Sequence, residues 1–266
     1  MPGSASVARC DHDDVVKDPD LDTLLRYWRA YDALFAQVEP TWWGAVVRNS
    51  RFPALHEVNY ARVETDSPVG LTELDRVLLE DGMRQAHVVT FRPEWQTELL
   101  VQASSRGDRI GWDLVMVNDR PGDDSDPRVE ESDIEEAFWT VYRRSLEWFG
   151  ITGDDVATQL REVERDVLAP AGRRWFVGRE RGAIVALAAL LVLDGVGFID
   201  HVTTDPSARR RGFATGLTRR AVSEARRAGA EQTFLLAEPA GAGAAVYKRI
   251  GFRTVTQIAS WTSAPR

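Results

Sequence analysis

The stretch Asp205-Pro-Ser-Ala-Arg209-Arg210-Arg211-Gly212-Phe213-Ala214-Thr215 constrains the fold more than any other part of the chain. It joins a β-branched run, Gly197 to Thr204, to an Arg/Ala-rich helical segment, Phe213 to Arg227, and a second strand-like run, Thr233 to Ala237, follows. A basic, glycine-containing turn that opens a helix is a place where backbone N–H groups converge on an anion. The first four amides of a helix lack an internal partner, and the helix dipole adds positive potential there. Gly212 lets a phosphate come close to the backbone, and Ala214 keeps the first turn uncrowded. The turn reads as a pyrophosphate cradle, against the plainer reading of a solvated helix start.

Composition bounds the partners. The chain has 266 residues, enough for one large domain or two small ones, and a formal net charge of −8. That balance argues against nucleic-acid binding by the chain as a whole and suits a cationic substrate such as an amine. The single cysteine, Cys10, excludes an internal disulfide and has no nearby histidine to activate it. The longest apolar run, Ala183 to Leu193, is too short to span a bilayer, and Met1 to Asp22 lacks the apolar core of a signal peptide. The expectation is a cytoplasmic protein with no membrane partner, monomer or homodimer. Its basic residues are nearly all arginine, which with the abundance of Ala, Asp and Val points to a GC-rich bacterial source.

Residues 1–20 read as a flexible tail and 21–120 as an N-terminal α/β domain. Within that domain the periodicities predict helices at Leu21–Val38, Pro68–Met83 and Pro93–Ser104, and strands at Trp42–Arg48, Asn59–Glu64, Ala86–Phe91 and Arg109–Asn118. The Asp/Pro/Gly/Ser-rich run from Asp119 to Glu131 supplies a linker, placed at 121–131, before a C-terminal domain at 132–266. Ser132 with Glu135 predicts a capping box opening a helix to Phe149, with Gly150 just past its end. A further helix is expected over Asp154–Leu168, then strands at Arg174–Arg179 and Ala183–Leu193. Asp194-Gly195 marks a two-residue hairpin, and a closing strand is expected over Phe252–Trp261.

Two motifs now stand in order. The pattern Val202-x-x-x-Pro206-x-x-Arg209-x-x-Gly212-x-Ala214 resembles the acyl-CoA signature of the GNAT superfamily of N-acetyltransferases, and Tyr247-x-x-x-Gly251-Phe252 resembles that superfamily's next motif. The resemblance covers roughly Glu130 to Trp261. It implies an α/β (α+β) fold, a mixed and mostly antiparallel central sheet flanked by helices, with the N-terminal α/β domain as an addition. Arg109–Asn118 is expected to supply the first core strand. The N-terminal half is either a degenerate second copy, lacking any Arg-x-x-Gly-x-Ala turn and so binding no CoA, or an unrelated cap over the acceptor pocket.

By the same resemblance, acetyl-CoA is the co-substrate and no metal is needed. Its pantetheine arm would run along the main chain of Val202, Thr203 and Thr204. Its pyrophosphate would rest on the amides of Arg211, Gly212, Phe213, Ala214 and Thr215, with Arg209, Arg210 or Arg211 adding charge-assisted contacts. The implied reaction moves the acetyl group directly to an amine of a small-molecule or amino-acid-like acceptor, with Tyr247 protonating the departing thiolate. Asp200, His201 and Glu238 are the candidates for the base, with water as a further possibility. Where the family often has an Asn, this chain has Ala240 in a Gly/Ala run, so one contact to the arm is missing. Two other readings stay open, a catalytically silent acyl-CoA-binding protein and an acetyltransferase acting on a protein N-terminus or lysine.

Other patterns carry less. Gly195-Val-Gly197 lacks the third glycine of a dinucleotide fingerprint and is explained by a hairpin. His12, His56, His87 and His201 show no metal-ligand spacing. The arginines at 219, 220, 226 and 227 read as a solvated helix face, and Trp42-Trp43 as core or pocket wall.

Overall fold

The computed structural model describes residues 19–35, 37–79, 86–118, 120 and 126–263. The expected tail up to residue 18, Cys10, His12, the end of the helix expected to reach Met83 and most of the expected linker lie outside the described residues. The N-terminal elements are α1 (Pro19–Ala33), β1 (Gln37–Thr41), β2 (Gly44–Arg48), β3 (Tyr60–Val63), α2 (Leu71–Leu79), β4 (His87–Thr90), α3 (Thr97–Arg106) and β5 (Arg109–Asn118). After these come β6 (Val129–Ser132), α4 (Glu136–Trp148), α5 (Asp154–Val163), β7 (Arg174–Glu180), β8 (Ala183–Leu193), β9 (Val196–Thr204), α6 (Phe213–Arg227), β10 (Gln232–Ala237), α7 (Ala242–Arg249) and β11 (Arg253–Thr262).

The described strands form one sheet in the order β1-β2-β3-β4-β11-β5-β10-β9-β8-β7-β6. It is mixed and mostly antiparallel, as the resemblance implied. Its centre is the long antiparallel pair β5·β11, running from Val117 opposite Arg253 to Arg109 opposite Thr262. Outward from that pair the pairings mirror one another. The steps β11·β4 and β5·β10 are antiparallel, and β4·β3 and β10·β9 are parallel. Then β3·β2 and β9·β8, like β2·β1 and β8·β7, are antiparallel again. Each parallel step is bridged by a helix, α2 on one side and α6 on the other, because parallel neighbours need a crossover. Each half's last strand is thus inserted between the last two strands of the other half.

Alternation of side chains assigns the two faces. On one, Leu114 and Met116 of β5 meet Phe213, Leu217 and Tyr247 from α6 and α7, while α2 and α3 cover Trp261 and Ala259. On the other, Val115 and Val117 pack under Leu21, Leu24 and Tyr27 of α1, and α4 and α5 cover β7 and β8. A charged cluster also ties α1 to β3. Arg62 pairs with both Asp32 and Glu64, Tyr60 donates to Asp32, and Arg62 and Asp32 are almost wholly buried.

Several expectations are corrected. The first helix stops at Ala33, and β1 and β2 form a hairpin whose turn is Trp42-Trp43. Ser132 ends β6, a short strand that begins inside the stretch read as linker and runs one residue past it. The next helix starts at Glu136 with no side-chain cap, so the capping box is absent. That edge strand β6, not Arg109–Asn118, opens the C-terminal set, and β5 sits mid-sheet between β10 and β11. Past Val163 the expected helix widens into a π-type turn over Glu164–Leu168. The Asp194-Gly195 hairpin and the Gly150 helix end are present, with φ of 48°, 74° and 79°.

Because β5 fills a slot in the C-terminal sheet and buries Leu114, Val115, Met116 and Val117 there, a chain beginning at Asp126 lacks a central strand. We expect such a truncation to show no cooperative thermal transition by circular dichroism, whereas the full chain unfolds in one. A truncation melting like the intact protein contradicts the exchanged arrangement.

Candidate functional site

The parallel strands β9 and β10 touch over only three positions, ending at Phe198 opposite Phe234. Those two rings stack at 4.6 Å, and Tyr27 meets Phe234 edge-on at 5.0 Å, closing the bottom of the gap. Beyond them Ile199–Thr204 has no partner on β10, which stays with β5 through Ala237 opposite Leu114. The result is a cleft whose walls are strand backbone. On the β9 wall the ladder to β8 slips between Leu187 and Ala189, leaving His201 and Val202 opposite Ala188 alone, and His201 takes a left-handed φ of 53°.

At the upper end of β9 lies the basic turn. Asp205 accepts from the Ser207 amide, Arg210 adopts φ 66°, and Gly212 caps α6 at φ 91°, where a side chain would be strained. The first helical bond runs from the Gly216 amide to the Gly212 carbonyl. Among the described residues the amides of Arg211 to Thr215 have no backbone acceptor, so a row of donors faces outward at the positive end of a 15-residue helix. Phe213 anchors this end in the core, tight against Gly178, where an added Cβ would stand 2.7 Å from the ring. Arg128 lies over the Phe213 ring at 4.6 Å and donates to the Arg211 carbonyl at 3.0 Å. The three arginines differ in employment. Arg209 donates to the Thr204 carbonyl at 3.2 Å, Arg211 is paired with Glu180 at 2.6 Å, and Arg210 is exposed with no bond among the described residues.

On the β10 side, Tyr247 lies buried on α7 with its ring against Gly243 and Phe252. Its hydroxyl has no partner among the described residues. Burial, with the charge of Asp200 adding, pushes its pKa up to about 12, so it keeps its proton at neutral pH. Glu238 is exposed at the end of β10, and Ala240 in the turn to α7 is exposed as well. Asp113, on β5, was not singled out by sequence. It faces the Glu238 end of β10, and burial together with the charge of Glu238 pushes its carboxyl pKa up.

Asp200 and His201 point to the α1 and α4 side of β9. Arg173, 3% exposed, donates to Asp200 at 2.7 Å, and the other carboxylate oxygen takes the amide of His201. Burial alone would raise the Asp200 pKa, but the charges of Arg173 and His201 and these bonds hold it below the ordinary range. His201 is boxed by Tyr142, Phe149 and Trp175 at 5.0–5.2 Å, and its Nε2 lies 2.7 Å from Ser145 Oγ. Ser145 already donates to the Tyr142 carbonyl, so its oxygen accepts and His201 carries the proton on Nε2. No local sequence signal marks Arg173 or Ser145, since both act through pairings distant in the chain.

A family model described as the acetyltransferase (GNAT) family matches residues 133–252, which hold the cleft, the basic turn and Tyr247. Residues 133–252 form a GNAT acetyltransferase domain. The structure of a GCN5-related N-acetyltransferase from Kribbella flavida superposes with a TM-score of 0.63 at 16% identity, covering 91% of this chain and 95% of that one. A functionally unknown conserved protein from Staphylococcus epidermidis gives a TM-score of 0.66 at 13% identity, over 84% and 91% of the two chains. A GCN5-related N-acetyltransferase from Sphaerobacter thermophilus gives 0.52 at 19%, over 72% and 66%. At these identities the likeness is one of fold, and two of the three extend it across both halves. No curated protein matches the chain.

Outside the GNAT domain the matching cleft does not open. β3 and β4 stay paired to Val63 opposite Thr90, and the Phe91 amide continues the ladder to the Val63 carbonyl at 3.0 Å. The loop into α2, Glu64 to Gly70, has acids where the other has arginines. Buried Gln96 fills it, bonding the Thr65 and Ser67 carbonyls and the Val69 amide. A separate groove of about 730 Å³ lies between α3 and the central strand pair, lined by Leu100, Val101, Ile110, Trp112 and Gln257, away from the β9/β10 gap. No helix among the described residues is long and apolar enough to cross a membrane.

Burial lowers the pKa of both His201 and His87 from 6.5 to about 4. The unfolded chain then binds protons that the folded chain refuses, so stability is lost as pH falls from 6.5 toward 4, by at most ~3 kcal/mol per group. Imidazole resonances followed by NMR should show His201 neutral at pH 6 with a midpoint near 4. A midpoint near 6.5 contradicts the boxed geometry.

Proposed function

We propose that the protein transfers an acetyl group from acetyl-CoA directly to a primary amine of a small-molecule or amino-acid-like acceptor. The observation that carries this reading is the junction of two features: a parallel strand pair that parts after Phe198 and Phe234, and a row of free amides from Arg211 to Thr215 at its upper end. A pantetheine arm needs extended backbone to pair with, and the unpartnered edge of Val202, Thr203 and Thr204 supplies it. A pyrophosphate needs converging N–H groups and positive potential, which Gly212, Phe213, Ala214 and Thr215 supply, with Arg210 and Arg209 in reach.

Chemistry then follows from the cleft's walls. The His201 amide is taken by Asp200, so the Val202 amide is the donor assigned to the thioester carbonyl, stabilising charge on its oxygen as the amine attacks. Carbon–sulfur cleavage leaves a thiolate, to which Tyr247 gives its proton. Of the base candidates, Asp200 is held as an anion by Arg173 and His201 is bonded through Nε2. Glu238, with Asp113 beside it on β5, is the carboxylate left to collect the amine's proton, directly or through water, and the pair favours a cationic acceptor.

The N-terminal half is, in this reading, a second copy of the same fold that takes no cofactor. Its mirrored pairing order supports that, and its zipped β3/β4 pair and acidic, Gln96-filled loop give the physical reason for lost binding.

Calorimetric titration with acetyl-CoA tests the proposal. Wild type should bind at one site per chain, and Gly212→Asp should weaken binding at least about 100-fold. Tyr247→Phe should bind acetyl-CoA normally yet release free CoA with a primary-amine acceptor about 100-fold more slowly. Absence of binding by the wild type overturns the assignment.

A further inference from the structure

We propose that Arg173 and Asp200 form a positioning clamp: their ion pair holds the His201 bulge of β9 in the left-handed conformation that leaves the Val202 amide free for the thioester carbonyl. The inference rests on the acetyl-CoA reading above and adds to it the device that sets the carbonyl donor.

The bulge needs holding. His201 is bulky and sits at φ 53°, a conformation that persists away from glycine only where the surroundings over-determine it. Three groups do so. Asp200 accepts the His201 amide with one carboxylate oxygen, turning the peptide away from the regular ladder to β8. Ser145 accepts from the His201 ring at 2.7 Å, and Tyr142 stacks on that ring at 5.2 Å. Arg173 Nη2 fixes the second Asp200 oxygen at 2.7 Å, so the carboxylate cannot rotate away from the amide.

Arg173 is itself immobile. It is 3% exposed, its Nε stands 3.3 Å from Glu164, and its guanidinium lies 5.3 Å from the centre of the Trp175 ring. Trp175 Nε1 donates to the other oxygen of Glu164 at 3.2 Å, and the Arg173 amide is bonded to the Leu168 carbonyl at 2.9 Å. The wide turn Glu164–Leu168 therefore aims Arg173 at β9, an arrangement of the kind π-type turns often make near functional sites. The guanidinium charge is a permanent one.

The clamp also separates two roles that exposure alone would confuse. The Asp200 side chain is 39% exposed and so looks like a base. Both of its oxygens are engaged by donors, one of them cationic, which is the environment of an anchor and a poor one for accepting a proton.

The test uses acetyl-CoA labelled with ¹³C at the carbonyl, bound to the full chain, with isotope-edited infrared spectroscopy reading the C=O stretch. No acceptor is needed. Wild type should shift the stretch to lower frequency relative to free acetyl-CoA. Arg173→Met and Asp200→Leu should bind acetyl-CoA within about threefold of wild type and lose most of that shift. Asp200→Asn should keep an intermediate part of it, because the amide oxygen still accepts from His201 while the amide nitrogen cannot accept from Arg173. Adding His201→Gly to Arg173→Met should restore part of it, since glycine adopts the bulge conformation unaided. A full shift in Arg173→Met, or an Asp200→Asn as impaired as Asp200→Leu, overturns the clamp. Should Arg173→Met fail to fold, the Asn and Leu variants at Asp200 decide the question. Failure of the wild type to bind acetyl-CoA overturns the functional reading, and this inference with it, and is distinguished by the absence of any bound spectrum.

Discussion

The antiparallel pairing of β5 with β11 is the constraint on which the rest of the structure depends. These two strands are the last of their respective halves, and each lies beside the penultimate strand of the other half. Leu114, Val115, Met116 and Val117 of β5 are buried on both faces, two against α6 and α7 and two against α1. Burial of each such side chain contributes about 1.5–3 kcal/mol, so neither half can give up the exchanged strand without losing a large part of its core. The exchange also sets the site, because β5 holds β10 on the side away from β9. With β10 secured there, β9 is free to part from it.

That division of loyalties explains why one parallel pair opens and its counterpart does not. β9 is drawn to β8 and bulges at His201, while β10 follows β5 as far as Ala237. In the N-terminal half β3 and β4 are short and remain paired to their ends. The loop that follows β3 is tied down by Gln96, and the nearby charges are the Arg62, Asp32, Glu64 cluster, satisfied internally. On the reading proposed above, loss of cofactor binding there needed no change of topology. Closing a gap, filling a turn and reversing its charge suffice.

The features legible in the sequence are those carried by local chemistry. The basic turn, the glycine that caps α6, the Asp194-Gly195 hairpin and the amphipathic helices follow from backbone preference and hydrophobic period, which act over a few residues. What escaped the sequence is set by pairing at long range. β6 is a short, largely polar strand, Val129–Ser132, that exists because β7 offers an edge. β5 reads as a strand from its own residues, yet nothing in them places it between β10 and β11. The Ser132 cap failed for the same reason, since pairing with Trp175 keeps that residue extended. Arg173 and Ser145, which surround the candidate base residues Asp200 and His201, are ordinary residues in sequence. Their meaning comes from contacts 27 and 56 positions away.

Hydrogen–deuterium exchange with and without acetyl-CoA tests the central claim most directly, because it reads both halves of one molecule in one experiment. A cofactor seated in the open cleft predicts new protection at Val202 to Thr204 and at Arg211 to Thr215, and none along Val63 to Thr72. Protection of the N-terminal loop, or no change at the Gly212 turn at saturating acetyl-CoA, would contradict the account.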